Sequence, residues 1–135
     1  MAKKKRTEEE FQGWDDPNFV PIPQLFFENH LATLKYGEMK VLLYLFRRTY
    51  GFRRDSDCVP ISQFLDGKKD KNGKRVDRGV GLTKVSLLSA LRGLVSKNMI
   101  FREQRYGNRG GNIASSYRLN LKKGDLGERL HAGDR

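Results

Sequence analysis

Cysteine is nearly missing from this 135-residue chain: Cys58 stands alone, so no intramolecular disulfide can form. Beside Val59 it reads as a small buried apolar residue rather than a nucleophile. Histidine is almost as scarce. His30 and His131 lie far apart, which leaves no Cys/His cluster at metal-ligand spacing and predicts no metal site. No apolar run approaches the roughly 20 residues that a membrane span needs. No apolar signal-peptide core follows Met1–Arg6 either, so the expectation is a cytoplasmic protein. Catalytic patterns are missing too: there is no nucleophile–base pair and no pair of carboxylates in an apolar setting. Gly107–Gly111 is glycine-rich but lacks the spacing of a phosphate-binding loop. Neither an enzyme nor a bound cofactor is expected. Acid is the last shortage, with 16 Asp and Glu against 27 Lys and Arg, a net charge of +11. An excess of this size favours DNA, RNA or an anionic surface as partner.

What is present suggests one domain with loose ends, because 37% hydrophobic and 32% charged residues make a lean core. Residues 1–18 read as a disordered tail: Lys3–Arg6 are basic, Glu8–Glu10 acidic, and no period follows. A phosphate contact and a plain solvated end both fit the basic tetrad. Order is expected over 19–121, and 122–135 read as a frayed tail. Pro21-Ile22-Pro23 is extended, and a first helix runs from Pro23 or Gln24 to about Leu31. Its Leu25, Phe26, His30 and Leu31 face inward or border the core, with His30 a packed histidine. Residues 36–50 carry the strongest helical period: Met39, Leu42, Leu43 and Phe46 recur at three- and four-residue spacing, with Tyr50 one turn on. Gly51 suits the stop. Arg47, Arg48, Arg53 and Arg54 cluster at that end, where cations suit the helix dipole and phosphate is within reach.

Cys58–Ile61 reads as a short strand, and Ser62 as the N-cap of a short helix, Gln63 to Asp66, that stops at Gly67. The segment 67–80 is polar, with six Lys or Arg against two Asp, and Asn72-Gly73 signals a turn. Thr83 then caps a long helix reaching about Lys97. Leu87, Leu88, Leu91, Leu94 and Val95 form its apolar face, Ser86, Ser89, Gly93 and Ser96 the opposite one, and Asn98 takes the left-handed position past its end. Met99–Tyr106 and Ser116–Leu121 read as strands, with Tyr117, Leu119 and Leu121 on one face and Arg118 and Asn120 on the other. Gly107–Asn112 between them makes a hairpin with a basic tip.

The order predicts an α+β fold, mostly α: a winged helix-turn-helix with a C-terminal β-hairpin wing. No Asp or Glu occurs from Gly81 to Ile100, in a chain that has 16. Small polar side chains let a helix sink into a major groove, and acids there would repel phosphate. Double-stranded DNA is therefore the expected partner. Specificity falls to the 83–92 face, with Thr83, Lys84, Val85, Ser86, Ser89 and Arg92. Affinity falls to Lys68, Lys69, Lys71, Lys74 and Arg75 in the polar segment and to Arg105 and Arg109 in the wing.

Gly81–Ile100 also resembles, without gaps, the recognition-helix signature of winged-helix proteins, with Asn98 where glycine is usual. Upstream, Val20–Leu25, Gly37–Leu45, Arg48–Gly51 and Ile61–Phe64 resemble the N-terminal domain of phage replication protein O. The likeness covers roughly residues 19–121. It implies binding to a replication origin or operator by the helix that starts at Thr83, with Lys84, Val85, Ser86 and Ser89 facing bases or phosphates. Two departures stand out. The segment 67–80 lengthens the usual short turn between the two helices. The chain also stops near 135, whereas proteins of that family continue into a region that engages helicase machinery. Replication rather than transcriptional control rests on the resemblance alone, and a protein–protein adaptor is the third reading, since fold does not fix function. Partner proteins of replication or transcription fit the first two.

Overall fold

The computed structural model describes residues 10–14, 19–106 and 112–120. Most of the two expected tails, the tip 107–111 and Leu121 lie outside the described residues. Glu10–Trp14 is exposed and without regular structure.

The elements are a π-helical turn at Phe26–His30, α1 (Leu31–Thr33), α2 (Tyr36–Arg48), a 3₁₀ turn at Tyr50–Phe52, β1 (Ser56–Cys58), α3 (Ile61–Asp66), α4 (Lys84–Ser96), β2 (Ile100–Tyr106) and β3 (Asn112–Leu119). β3 lies between β1 and β2 and is antiparallel to both, so the β2–β3 hairpin is tied to the body through β1. Helices over a small antiparallel sheet with a C-terminal hairpin give an α+β fold compatible with a winged helix-turn-helix. In such a fold α3 and α4 would be the helix-turn-helix pair and β2–β3 the wing.

Long-range apolar burial builds this arrangement. α2 contributes Val41, Leu42, Tyr44, Leu45 and Phe46, and α4 contributes Leu87, Ala90, Leu91 and Leu94. Phe64 of α3, Ile100 of β2, and Tyr117 and Leu119 of β3 close the core. Tyr117 and Leu119 are buried while Arg118 between them is exposed, as strand alternation requires. Phe64 meets the rings of Tyr44 and Tyr117, with centroids 5.7 and 5.4 Å away, and so joins α2, α3 and the sheet.

Several local readings change. The first helix continues to Thr33 through its π-helical turn and buries only Phe26; Leu25 and Leu31 are exposed at 57% and 47%, not turned inward. The stop after α2 is not Gly51: the chain passes through the 3₁₀ turn and reverses at Arg53, which takes the left-handed conformation (φ 60°). The first strand ends at Cys58, earlier than expected. Val59 N–H still donates to Ser115 C=O at 3.0 Å, but Pro60, not Ser62, occupies the N-cap of α3. Proline lacks a donor and presets an extended-to-helical entry, so the helix can start at once. Arg48 is buried, at 3% exposure. Its Nε donates to Asp57 at 2.9 Å and its Nη1 to the Tyr44 hydroxyl at 3.2 Å, so it ties α2 to β1 and does not reach out to phosphate.

Gly93 changes role too. A Cβ there would meet Glu38 Oε2 at 2.0 Å, so Gly93 is the gap on α4 that admits the buried Glu38 of α2. Glu38 accepts from Lys35 N–H at 3.4 Å and pairs with the Lys97 ammonium. A carboxylate suits the first turn of α2 and a cation the C-cap of α4, where Lys97 lies. The pair therefore fixes the start of one helix against the end of the other.

Candidate nucleic-acid interface

α4 is one helix with two chemistries. Leu87, Ala90, Leu91 and Leu94 are buried, and Leu88 is half-buried. Val95 is exposed at 38% and leaves the apolar face assigned to it; Ala90 takes the inward position instead. Thr83, Lys84, Val85, Ser86, Ser89 and Arg92 are all exposed, so six candidates from the sequence share one solvent-facing surface. The spacing Val85–Ser89–Arg92–Ser96 places a stripe along it. Val85, at 78% exposure, has no role in the core.

The N-terminal end of α4 is well defined. Thr83 Oγ1 accepts from Ser86 N–H at 3.1 Å, the capping bond that satisfies one orphan donor of the first turn. No acid occupies that turn, so the positive end of the helix dipole is not compensated. Lys40 of α2 reaches the same place. Its ammonium donates to Gly81 C=O at 3.5 Å and sits 4.7 Å from the Tyr36 ring centroid. The sequence carried no sign of Lys40, because it lies 41 residues from Gly81 and meets it only through the packing of α2 on α4. At the other end Asn98 takes the left-handed conformation (φ 62°), and Asn120 Nδ2 donates to its carbonyl at 2.7 Å.

The segment 67–80 is an ordered hairpin. Lys69 and Arg75 pair as antiparallel neighbours, Val76 N–H donates to Lys68 C=O at 2.7 Å, and Asp70 N–H donates to Lys74 C=O at 2.8 Å. Asp70 Oδ1 organises the turn by accepting from Asn72 and Lys74 N–H, both at 2.9 Å. Asp77 anchors the returning arm, accepting from Gly79 N–H (2.9 Å), the Tyr44 hydroxyl (3.0 Å) and Lys68 N–H (3.3 Å), with Arg47 Nε 3.7 Å away. Burial alone would raise the Asp77 carboxyl. These donors and the Arg47 charge outweigh it and hold the group below its usual value. Burial pushes the Tyr44 hydroxyl up, and the Asp77 charge adds to that against Arg48.

Two glycines make the attachment close. A Cβ on Gly79 would lie 2.4 Å from Phe64 C=O, and one on Gly67 1.9 Å from Asp77 C=O, with φ at +74° and +94°. Val80 N–H donates to Phe64 C=O at 2.8 Å, so the hairpin ends on α3 just before α4 begins. Lys69, Lys71, Lys74 and Arg75 are exposed and Lys68 is half-buried. Arg75 also donates to the carbonyl of Asp66 at the end of α3.

In the wing, Arg105 pairs through its backbone with Ile113, beside a register shift after Glu103. Its side chain and the whole of Arg109 lie outside the described residues. On the described outer face of the sheet, the Arg118 guanidinium sits 4.6 Å from the centroid of Phe101.

The assembled surface offers hydroxyls that donate and accept, an exposed Val85, several cations and no acid on the exposed face of α4. Among the described residues no three His, Cys, Asp or Glu side chains cluster so as to hold a metal, and no helix is long and apolar enough to cross a membrane. No curated protein matches the chain. A family model does, that of bacteriophage replication protein O, over residues 15–116. That span includes α2, α3, the inserted hairpin, α4 and most of the sheet, and the chain belongs to the bacteriophage replication protein O family.

Proposed function

We propose that this protein binds double-stranded DNA at a replication origin, with the exposed face of α4 in the major groove and the β2–β3 wing on the flanking backbone. The exposed face of α4 carries the reading: Lys84, Val85, Ser86, Ser89 and Arg92 lie together with no acid among them. A major groove about 12 Å wide admits one helix. In helix-turn-helix proteins the N-terminal residues of the second helix reach base edges. Short hydroxyl side chains allow close approach, Val85 can pack on a thymine methyl, and Lys84 or Arg92 can reach guanine or phosphate. The reading is one of binding, with no catalytic step, and it takes replication proteins as the further partners.

Selection of bound duplexes from a random pool, followed by titration of the winner against scrambled DNA at two salt concentrations, tests it. An enriched sequence whose affinity falls steeply with salt is expected, because each neutralised phosphate releases counterions. No enrichment, together with affinity independent of salt, overturns the reading. Direct repeats in the winner favour an origin array. A palindrome favours a dimeric operator-binding regulator, the alternative within the same chemistry. Lys84→Ala should cost about 1–3 kcal/mol on the selected site and less on scrambled DNA if Lys84 reads a base.

A further inference from the structure

The hairpin 67–80 is more than a long linker. It stands between the two helices of the helix-turn-helix, where a short turn would suffice, and delivers the chain to Gly81 at the N-terminal end of α4. It carries six cations and two acids. Asp70 is spent on the N–H groups of its own turn, and Asp77 on Gly79, Lys68 and Tyr44. Both acids hold the backbone, and Lys69, Lys71, Lys74 and Arg78 are left exposed; Arg75 is exposed too, although it donates to the Asp66 carbonyl. Only Val80 of the hairpin enters the core, so apolar packing does not account for the cations.

We propose that this hairpin is a second DNA-contact element, a preformed basic arm on the phosphates beside the N-terminal end of α4. The inference rests on the reading that α4 enters the major groove, and adds to it a contact that extends the footprint on the α3 side. The position follows from the chain path. If the first turn of α4 meets base edges, the segment that leads directly into it lies over the adjoining backbone. The backbone of the arm is already ordered by the Asp70 turn and the Asp77 anchor, so binding need immobilise only side chains. Contacts of this kind set register and affinity and leave the choice of sequence to α4.

The test uses the full chain and a mixed-sequence duplex of about 30 base pairs, with dissociation constants measured across a salt series. One variant combines Lys69→Ala, Lys71→Ala and Lys74→Ala, leaving Asp70, Gly73 and Asp77 in place. Its plot of log affinity against log salt should be shallower than that of the unmodified chain by about 2–3. The triple Lys→Arg variant at the same positions should restore the slope. Lys71→Ala alone, at the exposed turn, should remove about 1 from the slope and keeps the test valid if the triple variant folds poorly. An unmodified slope in Lys71→Ala and in a folded triple variant overturns the proposal and leaves the α4 reading intact. Failure of the unmodified chain to bind the duplex at low salt overturns both.

Discussion

Two adjoining segments, the hairpin 67–80 and the helix α4, present similar chemistry to solvent and are held in place by opposite means. Each shows mainly basic and small polar side chains outward, with an exposed valine among them, Val85 on α4 and Val76 on the hairpin. α4 is seated by Leu87, Ala90, Leu91 and Leu94, all buried among side chains from α2 and the sheet. The hairpin puts one side chain, Val80, into the core and is otherwise held by hydrogen bonds that converge on Asp77 and by close backbone approaches at two glycines, Gly79 against Phe64 of α3 and Gly67 against Asp77. What a segment displays is therefore separable from what positions it. The two kinds of anchor should also fail differently, one by cavity formation and the other by loss of charge or by steric push.

The largest effect is expected where both segments depend on the same packing. Leu94 is fully buried on α4, and Leu94→Ala should destabilise the fold by about 2–5 kcal/mol, the range for a buried leucine truncated to alanine. Chemical denaturation measures it. A cost well below this range would mean that α4 is positioned mainly by its polar contacts, and the contrast would collapse. Gly79→Ala comes next, at about 2–3 kcal/mol. The new Cβ would press on Phe64 C=O at a positive φ, where an L side chain is strained. Because Gly79 adjoins Asp77, this change should loosen the hairpin more than α4, which hydrogen exchange at Val76 and Val80 against Leu91 and Leu94 would register.

Asp77→Asn sharpens the comparison through pH. The Asp77 carboxyl is held below its usual value in the folded chain, and the unfolded value is about 3.9. A group depressed by folding contributes stability that is fully present above the unfolded value and is lost as pH falls through the folded one. The unmodified protein should therefore lose this contribution below about pH 4. Asp77→Asn should lack it at neutral pH, and the difference between the two should shrink on acidification. A constant difference from pH 7 to pH 3 would assign the anchor to shape alone.

This contrast also explains which parts of the molecule could be read from the sequence. Local signals were sufficient for α2 and α4, where apolar residues recur at helical spacing. They were sufficient too for the Thr83 cap, the left-handed Asn98 and the alternation of Tyr117 and Leu119. The exposed candidates on α4 followed from the same period, because an amphipathic helix leaves its polar side outward. The cations of 67–80 and its Asn72-Gly73 turn were legible, but its anchoring was not, because that comes from Tyr44, 33 residues before Asp77, and from backbone contacts with α3. Arg48 read as one more surface cation until Asp57 and the Tyr44 hydroxyl paired it inside. Gly93 read as a small outward residue because nothing local shows that Glu38 fills the space beside it. Leu25 and Leu31 read as core because apolar spacing marks a candidate face but not whether another element covers it.

The smallest stability effect should accompany a large functional one at Ser89, in the middle of the exposed face of α4. Ser89 is solvent-facing, and surface changes away from caps and core fall within about 0.5 kcal/mol. Ser89→Glu should therefore leave the denaturation midpoint nearly unchanged while placing a carboxylate where the proposal puts the groove. Like charge against phosphate should weaken duplex binding about tenfold or more, and the loss should lessen as salt rises and screens it. Ser89→Ala should bind nearly as the unmodified chain does if the position needs only a small side chain, and should lose about 1–3 kcal/mol on a selected site if the hydroxyl reads a base. The two substitutions together separate exclusion of acid from recognition by the hydroxyl. Equal affinity for Ser89→Glu and the unmodified protein at low salt would move the DNA-facing surface off α4, and the hairpin 67–80 and the wing would then remain as the places to look.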